Sequence, residues 1–194
     1  QDDSGQPLKF FDAVLGGRSV GVPGTPALIL DAHKRWGKLD WSTLFQPGIN
    51  LAGAGFTVSP RLSMLVARDA KRLNRFERTS TYFYPDGKPI KAGNILKNPG
   101  YAKTLKEIAA DKGKSFYEGE TARDIVDTVQ SVAGNPGPLD LNDLAEYRVK
   151  ERPAVCIGYR DLDVCGMGPP SSGGLTVGQI LGMLESYDLT KMGP

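Results

Sequence analysis

Apolar positions recur along this chain mostly with the period of a helix. Leu28, Ile29, Ala32 and Trp36 share one face after Thr25-Pro26, a cap followed by proline at the first helical position, and Gly37 closes the run. A second run carries Leu44, Phe45, Ile49, Leu51 and Ala52. Asp40 or Ser42 can cap it, Gly53 and Gly55 close it, and Pro47-Gly48 predicts a bend or a split. Ser59-Pro60 opens a third helix with Leu62, Leu65, Val66, Ala70 and Leu73 on its face. Asn98-Pro99 opens a fourth, with Tyr101, Leu105, Ile108 and Ala109. Past Gly119, the residues Ala122, Ile125, Val126, Val129 and Val132 form the cleanest amphipathic stripe.

Between these runs the pattern changes. The first two dozen residues hold too many breakers for a long element. Tyr82-Phe83-Tyr84 followed by Pro85-Asp86-Gly87 predicts a short hairpin within Thr81 to Ile90. Asn135-Pro136-Gly137-Pro138 is a stop, after which Asp140 caps one turn from Leu141 to Glu146. Tyr147 to Ile157 and Leu162 to Gly166 read as strands around a tight turn at Arg160-Asp161. Counting outward from that turn pairs Tyr159 with Leu162, Ile157 with Val164, and Cys156 with Cys165. The cysteines then form a non-hydrogen-bonded pair with Cα atoms about 4.5 Å apart. A disulfide and two adjacent thiols both fit that spacing. Gly168-Pro169-Pro170-Ser171-Ser172-Gly173-Gly174 leads into a last helix bearing Val177, Ile180, Leu181 and Leu184. The expected fold class is mainly α, an orthogonal helix bundle of five or six helices with a small β-hairpin. The expected organisation is one domain over 1–194: a loop-rich lead-in at 1–24, helices at 25–146, a hairpin at 147–167, and a turn and helix at 168–194.

Charge adds little to this picture. The net charge is +2, from 24 basic and 22 acidic residues, so nucleic acid is not an expected partner. Arg68, Lys71, Arg72, Arg75 and Arg78 cluster, but Asp69 and Glu77 interrupt them at helical spacing, as on a solvated helix face. No apolar run approaches the ~20 residues of a membrane span, and Gln1 to Gly5 lacks the pattern of a signal peptide.

Candidate chemistry is narrow. One His and two Cys cannot build the common four-ligand zinc sites, so no metal and no cofactor are expected. A serine or cysteine nucleophile needs a base, and the single His33 lies within an amphipathic helix. Ser171 and Ser172 do not fit G-x-S-x-G, since proline stands two positions before each. Gly168 to Gly174 lacks the Lys-Ser/Thr of a phosphate loop. It reads either as a helix N-terminus open to an anion or as a proline turn with Ser171 or Ser172 as the cap. Asp140, Asp143 and Glu146 have the spacing of a capped polar face. No catalytic, substrate-binding or metal residue is assigned.

Five stretches together resemble the γ-glutamyltransferase (γ-glutamyltranspeptidase) family. Gly16 to Gly24 is similar to G-G-x-S-V-G-V-P-G. Gln46 to Ala52 with Gly55 to Ser59 resembles P-A-I-x-L-A followed by G-F-x-V-S. Ser115 to Gly119 with Ala122 and Ile125 resembles x-F-Y-x-G-x-x-A-x-x-I, and Leu141 to Tyr147 resembles L-x-D-L-x-x-Y. Tyr159-Arg160 through Gly174 resembles Y-R-G-x-x-V-x-x-M-P-P-P-S-S-G-G. The chain departs at Gly48 (alanine in the family), at Gly168 (proline) and at Asp161 (the turn glycine), where Asp would have to accept a positive φ.

The resemblance implies an internal piece of the large-chain region of an N-terminal nucleophile hydrolase precursor. Such a precursor cuts itself, and the new N-terminal Thr of the small chain attacks a γ-glutamyl amide, usually glutathione. The γ-glutamyl group then passes to water, an amino acid or a peptide. Nucleophile and substrate contacts would lie outside this chain, so the fragment alone is expected to be inactive. Its expected partners are the small catalytic chain of the same precursor, a γ-glutamyl substrate in the complete enzyme, and a second copy of the fragment. No membrane contact is expected from this segment. Gln1 reads as a point inside the precursor, and the expected location is periplasmic or extracellular. Pro169, Pro170, Ser171, Ser172, Gly173 and Gly174 are expected to shape the cleft by packing and to leave apolar surface open in the fragment. The alternatives are a related acylase with another acyl donor and a free-standing helical binding or scaffold module.

Overall fold

Side-chain caps fix three of the helix starts. In the computed structural model, which describes residues 4–193, Ser59 Oγ accepts from the Leu62 N–H and Asn98 Oδ1 from the Tyr101 N–H. Asp140 and Asp143 form a capping box. Gln1, Asp2, Asp3 and Pro194 lie outside the described residues, and with them the reading of Gln1 as an internal point. Ser59→Ala is expected to cost about 1 kcal/mol. The check is a lower urea midpoint at an unchanged m-value, followed by tryptophan emission.

The backbone divides into two units, one up to Arg148 and one from Val149. The first contains α1 (Phe10–Val14), α2 (Thr25–Trp36), α3 (Trp41–Ala54), α4 (Pro60–Arg68), α5 (Ala70–Leu73), α6 (Glu77–Phe83), α7 (Pro99–Asp111), α8 (Lys114–Glu118), α9 (Glu120–Gln130) and α10 (Leu141–Ala145). Strands β1 (Phe56–Thr57) and β2 (Ile95–Leu96) pair antiparallel, Phe56 with Leu96 and Thr57 with Ile95. Helix α3 lies along α7, and Trp41 Nε1 donates to the Ile108 carbonyl at 3.0 Å. One buried cluster joins Val58, Val66, Tyr84, Ile90 and Leu96, with the Tyr84 hydroxyl donating to the Val66 carbonyl. Another joins Ala122, Val126 and Leu144.

The second unit contains β3 (Val155–Tyr159), β4 (Leu162–Gly166) and α11 (Gly173–Leu184). The strands pair antiparallel in the register counted from the Arg160-Asp161 turn. Half-buried Val155, Ile157 and Tyr159 alternate with exposed Cys156 and Gly158. Glycines let α11 lie close on the hairpin. A Cβ at Gly178 would sit 2.8 Å from Ile157 Cγ2, and one at Gly174 would sit 2.7 Å from the Met167 carbonyl oxygen.

The fold is mainly α, as expected, but several local readings are corrected. Thr81 to Ile90 is not a hairpin. Helix α6 runs to Phe83, and Pro85–Gly87 is a single 3-10 turn with Asp86 at φ 56°. Turn chemistry of the Pro-Asp-Gly kind ends a helix as readily as it joins two strands. Of the bend or split expected at Pro47, the split does not occur: α3 is one helix from Trp41 to Ala54 with Pro47 inside it. The third helix breaks at Asp69, whose carbonyl accepts from both Arg72 and Leu73, leaving α4 and α5. Strand β3 begins at Val155, past Pro153. The positive φ of the β3–β4 turn falls on Arg160, at 54°, not on Asp161. Helices outnumber the five or six expected because the third one splits into α4 and α5, the turn read at Leu141 counts as α10, and α1, α6 and α8 are too short to display a period.

Candidate functional site

The stretches of the first unit that carry the family resemblance build a frame. Gly16-Gly17 is held by Asn135, whose backbone carbonyl accepts from Gly17 N at 2.8 Å and Arg18 N at 3.3 Å. The Asn135 amide donates back to the carbonyls of Asp12 (3.0 Å), Ala13 (3.4 Å) and Leu15 (2.8 Å). A side chain at Gly17 would run into the Val129 carbonyl, so this position needs glycine for space.

Five residues past Gly17, the Val22-Pro23-Gly24 stretch is tied down by Tyr117. Its hydroxyl donates to the Pro23 carbonyl at 2.7 Å and accepts from the Ala27 N–H at 3.1 Å, fixing the entry into α2. Tyr147 stacks on Tyr117 with ring centroids 6.1 Å apart. Burial pushes the Tyr117 phenol above its ordinary pKa, with the Ala27 N–H acting the other way. Val22, Tyr117 and Ile125 then close around Ala122, Val126 and Leu144. Residues from three separate motifs thus meet in one apolar cluster. They do not assemble a nucleophile and a base.

In the second unit the Pro169–Pro170 bond is cis, and the Ser171 N–H donates to the Gly168 carbonyl at 3.1 Å. Ser171 Oγ accepts from the Gly173 N–H at 3.4 Å, while Ser172 occupies the cap position of α11 without a side-chain bond. Of the two serines weighed as caps, Ser171 makes the contact. The backbone that approaches Gly174 is this chain's own, at Gly166 and Met167. The far side of α11 stays open: Leu175, Val177, Ile180 and Met183 are 45–66% exposed. Cys156 and Cys165 face each other with Cα atoms 4.1 Å apart and are joined by a disulfide on the exposed face of the hairpin.

His33 has one ring nitrogen 2.8 Å from the Leu39 carbonyl and its ring against Trp41. Asp140 and Asp143 bond each other's backbone N–H groups. No helix among the described residues is long and apolar enough to cross a membrane. Asp140, Asp143 and Ser171 are thus engaged in capping or turn contacts, His33 in packing, and the two cysteines in a disulfide, while Ser172 holds the cap position without a side-chain bond. Sequence reasoning missed two of the organising groups, the Asn135 amide and the Tyr117 hydroxyl. Asn135 stands in a Pro/Gly run that reads as a loop, and no local pattern marks it as buried.

The gamma-glutamyltranspeptidase family model matches residues 2–194. The acylase ACY 1 proenzyme of a Pseudomonas species is 37% identical over 180 residues, covering 93% of this chain and 32% of its own length. The glutathione hydrolase proenzyme of Escherichia coli is 34% identical over 193 residues, covering 99% of this chain and 33% of its own. The crystal structure of Helicobacter pylori gamma-glutamyltranspeptidase superposes with a TM-score of 0.89 at 32% identity, covering 99% of this chain and 54% of that one. The chain spans about a third of the length of these curated relatives.

Proposed function

This chain belongs to the gamma-glutamyltranspeptidase family, and we propose that it forms the helical large-chain region of a self-processing enzyme. The complete protein cleaves γ-glutamyl amides such as glutathione and transfers the γ-glutamyl group to water, amino acids or peptides. The convergence of the family motifs on the Ala122–Val126–Leu144 cluster carries this reading, because it gives them a framing role. The small chain of the same precursor supplies the N-terminal Thr, whose own α-amino group serves as base. The open side of α11, a helix without a charged residue, is the surface on which that small chain sits. In the isolated fragment a second copy covers it instead. The Cys156–Cys165 disulfide supports a periplasmic or extracellular location.

The test compares this chain with the full precursor on a chromogenic γ-glutamyl anilide. The precursor is expected to turn over and the chain alone to match buffer. Turnover by the chain, lost in a Ser171→Ala/Ser172→Ala variant, would place the reaction here and overturn the reading. The acylase relative, at 37% identity, favours a second reading in which the acyl donor is not γ-glutamyl. Processed precursor that hydrolyses a cephalosporin side-chain amide and ignores the anilide would decide for it.

A further inference from the structure

The second unit has almost no core of its own. Among the described residues from Val149 onward only Gly168 and Gly178 are buried, and neither carries a side chain. Among the described residues the buried apolar side chains lie between Trp41 and Leu144, in the first unit. A two-stranded hairpin is marginal in water by itself, and units of this size commonly need a covalent staple. Here the hairpin is also the seat of α11. Gly174 lies against Gly166, Gly178 against Ile157, and the Glu185 carboxylate accepts from the Arg160 N–H at 3.2 Å. The Arg160 guanidinium reaches the Tyr187 carbonyl at 3.1 Å. Each of these contacts requires β3 and β4 to hold their register.

We propose that the Cys156–Cys165 disulfide is a redox-sensitive switch for the second unit. Oxidised, it fixes the register on which α11 is seated. Reduced, it lets the hairpin and the Pro169–Gly174 lead-in open while the first unit stays folded. The bond lies across the two strands and both cysteines are exposed, so an external thiolate can reach it. The step is ordinary exchange with a small dithiol. Its thiolate attacks one cysteine sulfur, the S–S bond breaks, and the departing cysteine thiolate takes up a proton. The dithiol's second sulfur then displaces the mixed disulfide. Two electrons pass to the protein, the reagent leaves as its own disulfide, and two cysteine thiols remain. This inference does not depend on the acyl donor or on any activity of the chain.

Hydrogen exchange on the whole 194-residue chain tests it, with and without dithiothreitol. Closing a loop of about ten residues predicts that reduction speeds exchange about 30-fold or more across β3, β4 and α11. Protection in α7 and α9 should not change. The emission of Trp36 and Trp41, both in the first unit, should not shift either. A Cys156→Ala/Cys165→Ala variant should show the fast exchange without reductant and no further response to it. Reoxidising the wild-type chain should restore protection. Unchanged exchange in 155–184 after complete reduction, confirmed by thiol counting, would overturn the switch. So would a parallel loss of protection in α7 and α9, because the staple would then serve the whole chain.

Discussion

Asn135→Ala is expected to lower the stability of the first unit by about 3 kcal/mol. Asn135 is only 3% exposed, and its side-chain amide is the shared donor to the carbonyls of Asp12, Ala13 and Leu15. Truncation keeps the backbone bonds from Gly17 and Arg18 but leaves those carbonyls short of a donor. A buried polar group without a partner costs about 1–3 kcal/mol, and the better two of the three contacts set the total. Asn135→Asp separates hydrogen bonding from volume. The carboxylate has the right size but no proton to donate, and its charge faces three carbonyl oxygens. Its pKa is therefore raised in the folded state, and the variant should regain stability as pH falls and the carboxyl becomes a donor. Urea unfolding followed by the emission of Trp36 and Trp41 reads both variants. A loss below about 1 kcal/mol for Asn135→Ala would show that the loop at Gly16-Gly17 holds its shape without the amide.

How much of this was legible beforehand differs from element to element. Ser59, Asn98 and Asp140 announce their helices because a cap is a local device, complete within four residues, whereas Thr25, read as a cap, is the first residue of α2 behind Gly24. The β3–β4 register was legible for the same reason: it follows by counting from a two-residue turn. The β1–β2 ladder was not, since two residues per strand show no alternation and the partners lie almost forty positions apart. Thr81 to Ile90 misled because aromatic residues beside Pro-Asp-Gly suit a hairpin and a helix exit equally. The buried Tyr84, bonded to Val66, decided for the helix exit through tertiary packing. The motif frame was half legible. Val22, Tyr117, Ala122, Ile125 and Leu144 each stood in a recognisable stretch, but only the fold brings them together.

That convergence sets the largest single effect expected in this chain, at Leu144. The residue is 1% exposed and packs on Ala122, at 0%, and on Val126. It sits on α10, a five-residue helix held mainly by the capping box of Asp140 and Asp143. So short a helix is not stable by its own hydrogen bonds, and the buried leucine anchors it. Leu144→Ala removes the anchor and opens a space that Ala122 is too small to fill. Buried leucine truncations cost about 2–5 kcal/mol, more where the surroundings cannot collapse. Tyr117 is bonded to Pro23 and Ala27 and is not free to move inward, so a value near 4 kcal/mol is expected. Leu144→Met keeps the volume and should lose less than about 1.5 kcal/mol. If both variants fell equally far, shape at this site and not the missing volume would be the cause. If Leu144→Ala fell by less than about 2 kcal/mol, the cluster would not be the frame on which the motifs converge. The measurement is the urea midpoint of each variant, with the Tyr117→Phe/Leu144→Ala double variant reporting whether the hydroxyl and the leucine act together.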